Sequence, residues 1–182
     1  MKASTLLHTV LLVTMTAALL TATGCRSTKT GGDKFNPSSI DQFDNSQFND
    51  GDNPMDGRRF DDGSLPRVTG VDFTPVYFAY DNYAIPPSEY GKIDAVVSFM
   101  RSNPGVVAIA EGHCDERGTT EYNISLGEYR AQSVRNYMMN AGVAGDRLQT
   151  ASFGEEQPAV SGHNEAAWSK NRRAEFALYK RR

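Results

Sequence analysis

Cysteine is almost absent: Cys25 and Cys114 are the only two in 182 residues. No disulfide framework can hold such a chain, so a hydrophobic core must. An excess of positive charge is also lacking. Nineteen Lys and Arg stand against 22 Asp and Glu, a formal net charge of -3, which gives no general pull towards nucleic acid or anionic lipid. Apolar residues are sparse for a globule of this length, at 39%, so part of the chain is expected to build no core. The spacings of zinc motifs and the Gly-x-Ser-x-Gly elbow of serine hydrolases are missing.

What is present sorts into three segments. Residues 1–24 read as an export signal: Lys2, then the run "LLHTVLLVTMTAALLTATGC", interrupted by His8 and several threonines and closing on small residues. Cys25 directly follows Ala22-Thr23-Gly24, which resembles a bacterial lipobox with Ala22 in place of the usual Leu. On that reading Cys25 is lipidated. An ordinary signal cut with Cys25 incidental, and an uncleaved anchor, are the alternatives. If Cys25 carries lipid, Cys114 has no intramolecular partner.

Residues 25–70 are rich in Asp, Asn, Gly, Ser and Pro, with no period of 2 or 3.6. They read as a tether of about 45 residues, with a root-mean-square span of roughly 35–40 Å. Phe35, Phe43, Phe48 and Phe60 punctuate it, either by chance or as a short docking motif.

Residues 71–182 change character. "TPVYFAY" (74–80) is β-branched and aromatic, a strand. Pro86-Pro87-Ser88 opens a helix with Ile93, Val96, Val97 and Met100 on one face, and Asn103-Pro104-Gly105 ends it. "VVAIAE" (106–111) reads as a strand buried on both faces. A second helix is expected over about 121–141, with Ala131, Val134, Met138 and Ala141 as its apolar stripe. Ser125 and Glu128 suit a capping box and Gly142 a C-cap. A strand at 148–153, a short helix at 164–171 and a strand at 174–179 complete the pattern. The expected class is α/β: an α+β sandwich with helices on one face of a small mixed sheet.

Within this domain "GHCDERG" (112–118) looks like chemistry. As a metal set, His113, Cys114, Asp115 and Glu116 fail, because consecutive residues in extended chain point to opposite sides. As a catalytic centre, a Cys beside its own His rarely has the geometry for base activation. A solvated turn after a strand, with Arg130 a surface helix residue, is the blander alternative.

The stretches "EGHCDERGTTEYNISLGEYRAQSVRNYM" and "SFGEEQPAVSGHNEAAWSKNRRAEF" resemble the OmpA-like peptidoglycan-binding domain, most of all in its peptidoglycan-associated lipoprotein family. "VYFAYDNYAI" is similar to that family's first strand and loop. The resemblance implies a non-enzymatic module, without cofactor or metal, that binds the peptide stem of peptidoglycan at meso-diaminopimelate. That residue's free end is a zwitterion, which calls for one fixed anion and one fixed guanidinium. The matching positions are Asp115 for the ammonium and Arg130 for the carboxylate, with Tyr80, Asp81, Thr119, Asn123 and Leu126 lining the pocket. Departures are Cys114 for a small residue, Tyr129 for a second Arg, and Tyr80 for Phe or Leu. Glu116, Arg117 and Glu121 are expected to shape the loop by local charge pairs. Asn171-Arg172-Arg173 match the closing motif, as packing and helix-end charge or as contacts to a ligand or partner.

The implied setting is the periplasmic face of the outer membrane, held by lipid on Cys25, in a Tol-Pal envelope-integrity and cell-division system with a TolB-like protein partner. A stator-type protein using the same domain would need a strong uncleaved span. A wall-modifying hydrolase would need paired acids or a zinc set. An OmpA-type porin would need eight strands ahead of the domain.

Overall fold

The computed structural model describes residues 59–181. The expected signal over 1–24, Cys25, and the linker up to residue 58, with Phe35, Phe43 and Phe48, lie outside the described residues.

Four strands form one sheet: β1 (Val76–Tyr77), β2 (Val106–His113), β3 (Leu148–Gly154) and β4 (Arg173–Lys180), in the order β1-β4-β2-β3. β2 pairs parallel with β3 and antiparallel with β4, and β4 pairs antiparallel with β1. Three helices are α1 (Tyr90–Ser102), α2 (Thr120–Asn140) and α3 (Glu165–Asn171). The mixed α/β class is as expected. Only Val76–Tyr77 of the strand anticipated over 74–80 forms β1; Phe78 continues its register by one more bond, donating its N–H to Arg172 O at 3.0 Å.

Alternation along the strands makes two faces. Val106, Ala108 and Ala110 of β2 join Ala174 and Leu178 of β4 under Ile93, Val96, Val97 and Met100 of α1 and Ala131, Val134 and Met138 of α2. Val107, Ile109, Ala151 and Ala177 line the opposite face. β2 is therefore buried on both faces, which is why its sequence is a run of Val, Ala and Ile rather than an alternation.

Phe60 covers that second face. It is 2% exposed and packs with Val107, Ile109, Ala151 and Ala177. Its N–H donates to Gln149 Oε1 at 2.9 Å. Arg67 then bridges Tyr179, Val68 N–H donates to Leu178 O at 2.8 Å, and Lys180 N–H donates to Pro66 O at 2.9 Å. The tether expected to run to residue 70 thus gives way to packed chain by Phe60. Its polar composition hid a single anchoring ring and a backbone pairing that uses no side chains.

α2 begins at Thr120, within a residue of the expected 121, and the Ser125–Glu128 box lies inside it. The N-cap is Thr119, whose hydroxyl accepts from Tyr122 N–H, while Ser125 Oγ donates back to Glu121 O. Gly142, at φ 89, follows the helix end as expected. Between α2 and β2 the backbones nearly touch: a Cβ on Gly112 would overlap Gly127 O, and one on Gly127 would overlap Ser152 Oγ.

Candidate functional site

The C-terminal end of β2 and the start of α2 build a cavity of about 380 Å³. A bulge between Gly112 and His113 shifts the β2–β3 register there, and Cys114 N–H donates to Gly154 O at 2.7 Å. Such bulges re-aim the residues that follow. The seven candidate pocket residues, Tyr80, Asp81, Asp115, Thr119, Asn123, Leu126 and Arg130, all line this cavity. Cys25 lies outside the described residues.

Arg130 forms the floor and is 1% exposed. Its Nε donates to Asn82 O at 3.0 Å, Nη1 to His113 O at 2.8 Å and to Cys114 Sγ at 3.3 Å, and Nη2 to Ala79 O at 3.3 Å. The open guanidinium fork anticipated from the sequence is largely spent on main-chain carbonyls. No carboxylate among the described residues lies within ion-pair distance of it. Burial draws its pKa below the ordinary value, against the pull of Cys114 and Asp115. The result is a desolvated positive charge hydrogen-bonded mainly to main-chain carbonyls and set 5.3 Å from the Phe78 ring, with no directly paired carboxylate among the described residues, which favours an incoming anion.

Asp115 is 4% exposed. Arg117 reaches it with Nε at 3.1 Å and Nη2 at 2.6 Å, Arg117 N–H adds a bond at 3.1 Å, and Arg172 Nη1 donates at 3.2 Å. Burial pushes its pKa up, but these bonds outweigh burial and hold the carboxyl below the ordinary aspartate range. Arg117 is gripped in turn, its guanidinium 4.0 Å from the Tyr80 ring and 4.2 Å from the Trp168 ring. Tyr80 is the exposed rim, at 59%.

Asp81 stands at φ 51, a left-handed conformation uncommon outside glycine, and accepts a hydrogen bond from Tyr122 Oη. Burial and that bond together raise the Tyr122 pKa. Asn123 Nδ2 donates to Glu155 Oε2 at 2.5 Å. Cys114 is a buried part of the cavity lining, its Sγ 3.3 Å from Asn123 O, and burial pushes its thiol up to about 11 despite Arg130.

Sequence reasoning did not place Arg117, Gly118, Tyr122 or Arg172 in the lining, where the structure has them. Arg117 does make the expected local charge pair, but from inside the cavity wall. The closing motif splits: Arg172 reaches Asp115, Asn171 holds the Val160 main chain, and Arg173 pairs with Glu175 on the other face. Glu116 leaves the pocket for His163 Nδ1 at 2.7 Å and Trp168 Nε1 at 2.8 Å. The set His113 to Glu116 therefore does not converge on one point: the His113 ring stacks on Phe153, Cys114 and Asp115 line the cavity, and Glu116 turns to His163 and Trp168.

Residues 77–172 match the OmpA family. The peptidoglycan-associated lipoprotein of Pasteurella multocida is 47% identical over 105 residues, covering 58% of this chain and 70% of the relative. That of Pseudomonas aeruginosa is 34% identical over 160 residues, covering 87% and 90%. The crystal structure of the peptidoglycan-associated lipoprotein from Burkholderia pseudomallei superposes with a TM-score of 0.56 at 36% identity, over 57% of this chain and 88% of that one. The cavity at the β2–α2 junction is thus carried by a chain that belongs to the OmpA family, among the peptidoglycan-associated lipoproteins.

Proposed function

We propose that this chain is a non-enzymatic clamp that binds peptidoglycan through the zwitterionic end of a diaminopimelate stem peptide. The observation that carries the reading is Arg130: a buried guanidinium facing the cavity without a carboxylate partner, across from the buried Asp115. A ligand carboxylate supplies the missing counter-charge, helped by the N-terminal N–H groups of α2. Asp115 and Asp81 provide the negative side for the ammonium. Because Arg117 and Arg172 already occupy Asp115, ammonium binding there displaces an Arg117 contact. Tyr80, Thr119, Asn123 and Leu126 shape the walls.

In the same reading Cys25 carries lipid after removal of residues 1–24, residues 25–58 span the gap, and the domain holds the wall from the periplasmic face of the outer membrane. One acyl chain would bind reversibly, whereas several on one cysteine anchor firmly. A TolB-like periplasmic protein is the proposed protein partner, within a Tol-Pal envelope-integrity and cell-division system.

Titration calorimetry with a diaminopimelate-containing muropeptide tests the clamp. Asp115→Asn is expected to weaken binding by roughly 10- to 150-fold, the loss of one charge-assisted contact of about 1.5–3 kcal/mol. Amidation of the ligand's free carboxylate weakens it similarly, and Glu116→Gln leaves it nearly unchanged. Equal affinity for the native and amidated peptides would sink the assignment. Intact mass of the mature protein tests the anchor, with an acyl adduct on an N-terminal Cys25 expected and an unmodified N-terminus elsewhere excluding it.

A further inference from the structure

The face of the sheet turned away from the helices ends in three metal-ligand side chains. Glu111 and His113 stand two apart on β2 and so share a face, and Glu175 on β4 is in direct register with Glu111. One ligand atom from each of the three lies within 4.8 Å of the other two. His113 is 2% exposed, yet neither Nδ1 nor Nε2 has a hydrogen-bond partner among the described residues. A neutral imidazole has one donor and one acceptor, and burying both unpaired is costly. The ring is fixed in place by Phe153, stacked at 5.3 Å and 18°. Glu175 holds Arg173 through Oε1 at 2.5 Å, which orients the carboxylate in the way outer partners orient metal ligands.

We propose that Glu111, His113 and Glu175 form a divalent-metal site for Zn²⁺, with water completing the coordination. One imidazole and two carboxylates are a ligand set zinc accepts, at bonds of about 2.0–2.2 Å. Tetrahedral geometry needs the ligand atoms about 3.4 Å apart, so metal binding requires the two glutamate side chains to move inward from their spacing of up to 4.8 Å. The two carboxylates bring two negative charges to the ion, one of them shared with the Arg173 guanidinium. Glu175, with its side chain 38% exposed, opens the route in from solvent. The site is separate from the cavity and independent of the peptidoglycan reading, although both meet at His113: its side chain faces the metal and its carbonyl accepts from Arg130.

The test uses the full-length chain, stripped with a chelator and titrated with Zn²⁺ alone by calorimetry. One ion per chain with a dissociation constant in the micromolar range or tighter is expected. Glu111→Gln and Glu175→Gln each weaken it at least about tenfold, and His163→Ala does not. These glutamates are partly exposed, so the variants remain folded where His113→Asn can fail. Co²⁺ in place of Zn²⁺ should give visible d–d bands without thiolate charge transfer, which excludes binding at Cys25 or Cys114. Absence of stoichiometric binding, or binding undiminished in both glutamine variants, overturns the proposal and leaves a buried water as the partner of His113.

Discussion

At the scale of the residue, Arg130 has two tasks. It ties Ala79 and Asn82, in the loop after β1, to His113 at the end of β2, and it presents charge to the cavity. Arg130→Met is therefore expected to lower stability by roughly 1–3 kcal/mol for each carbonyl left unsatisfied, read by urea unfolding, as well as abolishing muropeptide binding. Arg130→Lys keeps the charge but not the planar spread of donors over Nε, Nη1 and Nη2 that reaches three carbonyls, so it should recover part of the binding and little of the stability. Cys114 behaves differently. With its thiol buried and pushed up to about 11, it should resist iodoacetamide at pH 8 in the native protein and react on unfolding. Cys114→Ala should leave binding within about twofold, since Arg130 keeps its bonds to the His113, Asn82 and Ala79 carbonyls when the one to Cys114 Sγ is lost and the change removes one sulfur atom's packing from the lining. Rapid native labelling would show that the pocket floor opens.

At the scale of the element, the distance between the proposed anion and cation is set by how closely α2 lies on β2, and Gly112 and Gly127 set that. Gly112→Ala should cost roughly 1–3 kcal/mol through overpacking and weaken muropeptide binding in step, because backbone must shift. Gly91→Ala in α1 meets nothing within 4 Å, and should instead raise stability by about 0.4–1 kcal/mol; thermal unfolding separates the two. This is also where the sequence was most and least legible. Periodicity sufficed for α1, α2 and β2, because a continuous apolar run or a 3.6-residue stripe is read without knowing the partner. The resemblance supplied the pocket residues, including Asp115 and Arg130, which no periodicity separates from surface charge. Arg172 was left open, because its reach to Asp115 spans 57 positions and depends on where β4 starts. The start of α2, expected near residue 121, lies at Thr120; the Ser125–Glu128 pair falls inside the helix, where Ser125 Oγ donates to Glu121 O instead of capping.

At the scale of the whole molecule, the folded unit is larger than the span 77–172 that carries the family match. β4 runs to Lys180 and joins β1 to β2, and Phe60 closes the second face. Phe60→Ala is expected to cost about 3–5 kcal/mol, and a fragment beginning at residue 71 should lose a similar amount, both measured by denaturant unfolding against the full-length chain. Muropeptide affinity should change by less than about twofold in Phe60→Ala, because the ring sits over Val107 and Ile109, away from the strand end that forms the cavity. The position of Phe60 carries a mechanical consequence. On the proposed function, a chain fixed at its N-terminal end and gripping at the cavity would be stretched between residue 59 and the far end of β2. Load then arrives first at Phe60 and next at the Arg67–Tyr179 bridge, a few contacts in series that peel one at a time. The ladder between β2 and β4 spans eight residue pairs and is pulled only after they yield. Residues 60–68 would then act as a fuse, lengthening the connection under strain before the grip or the core gives way.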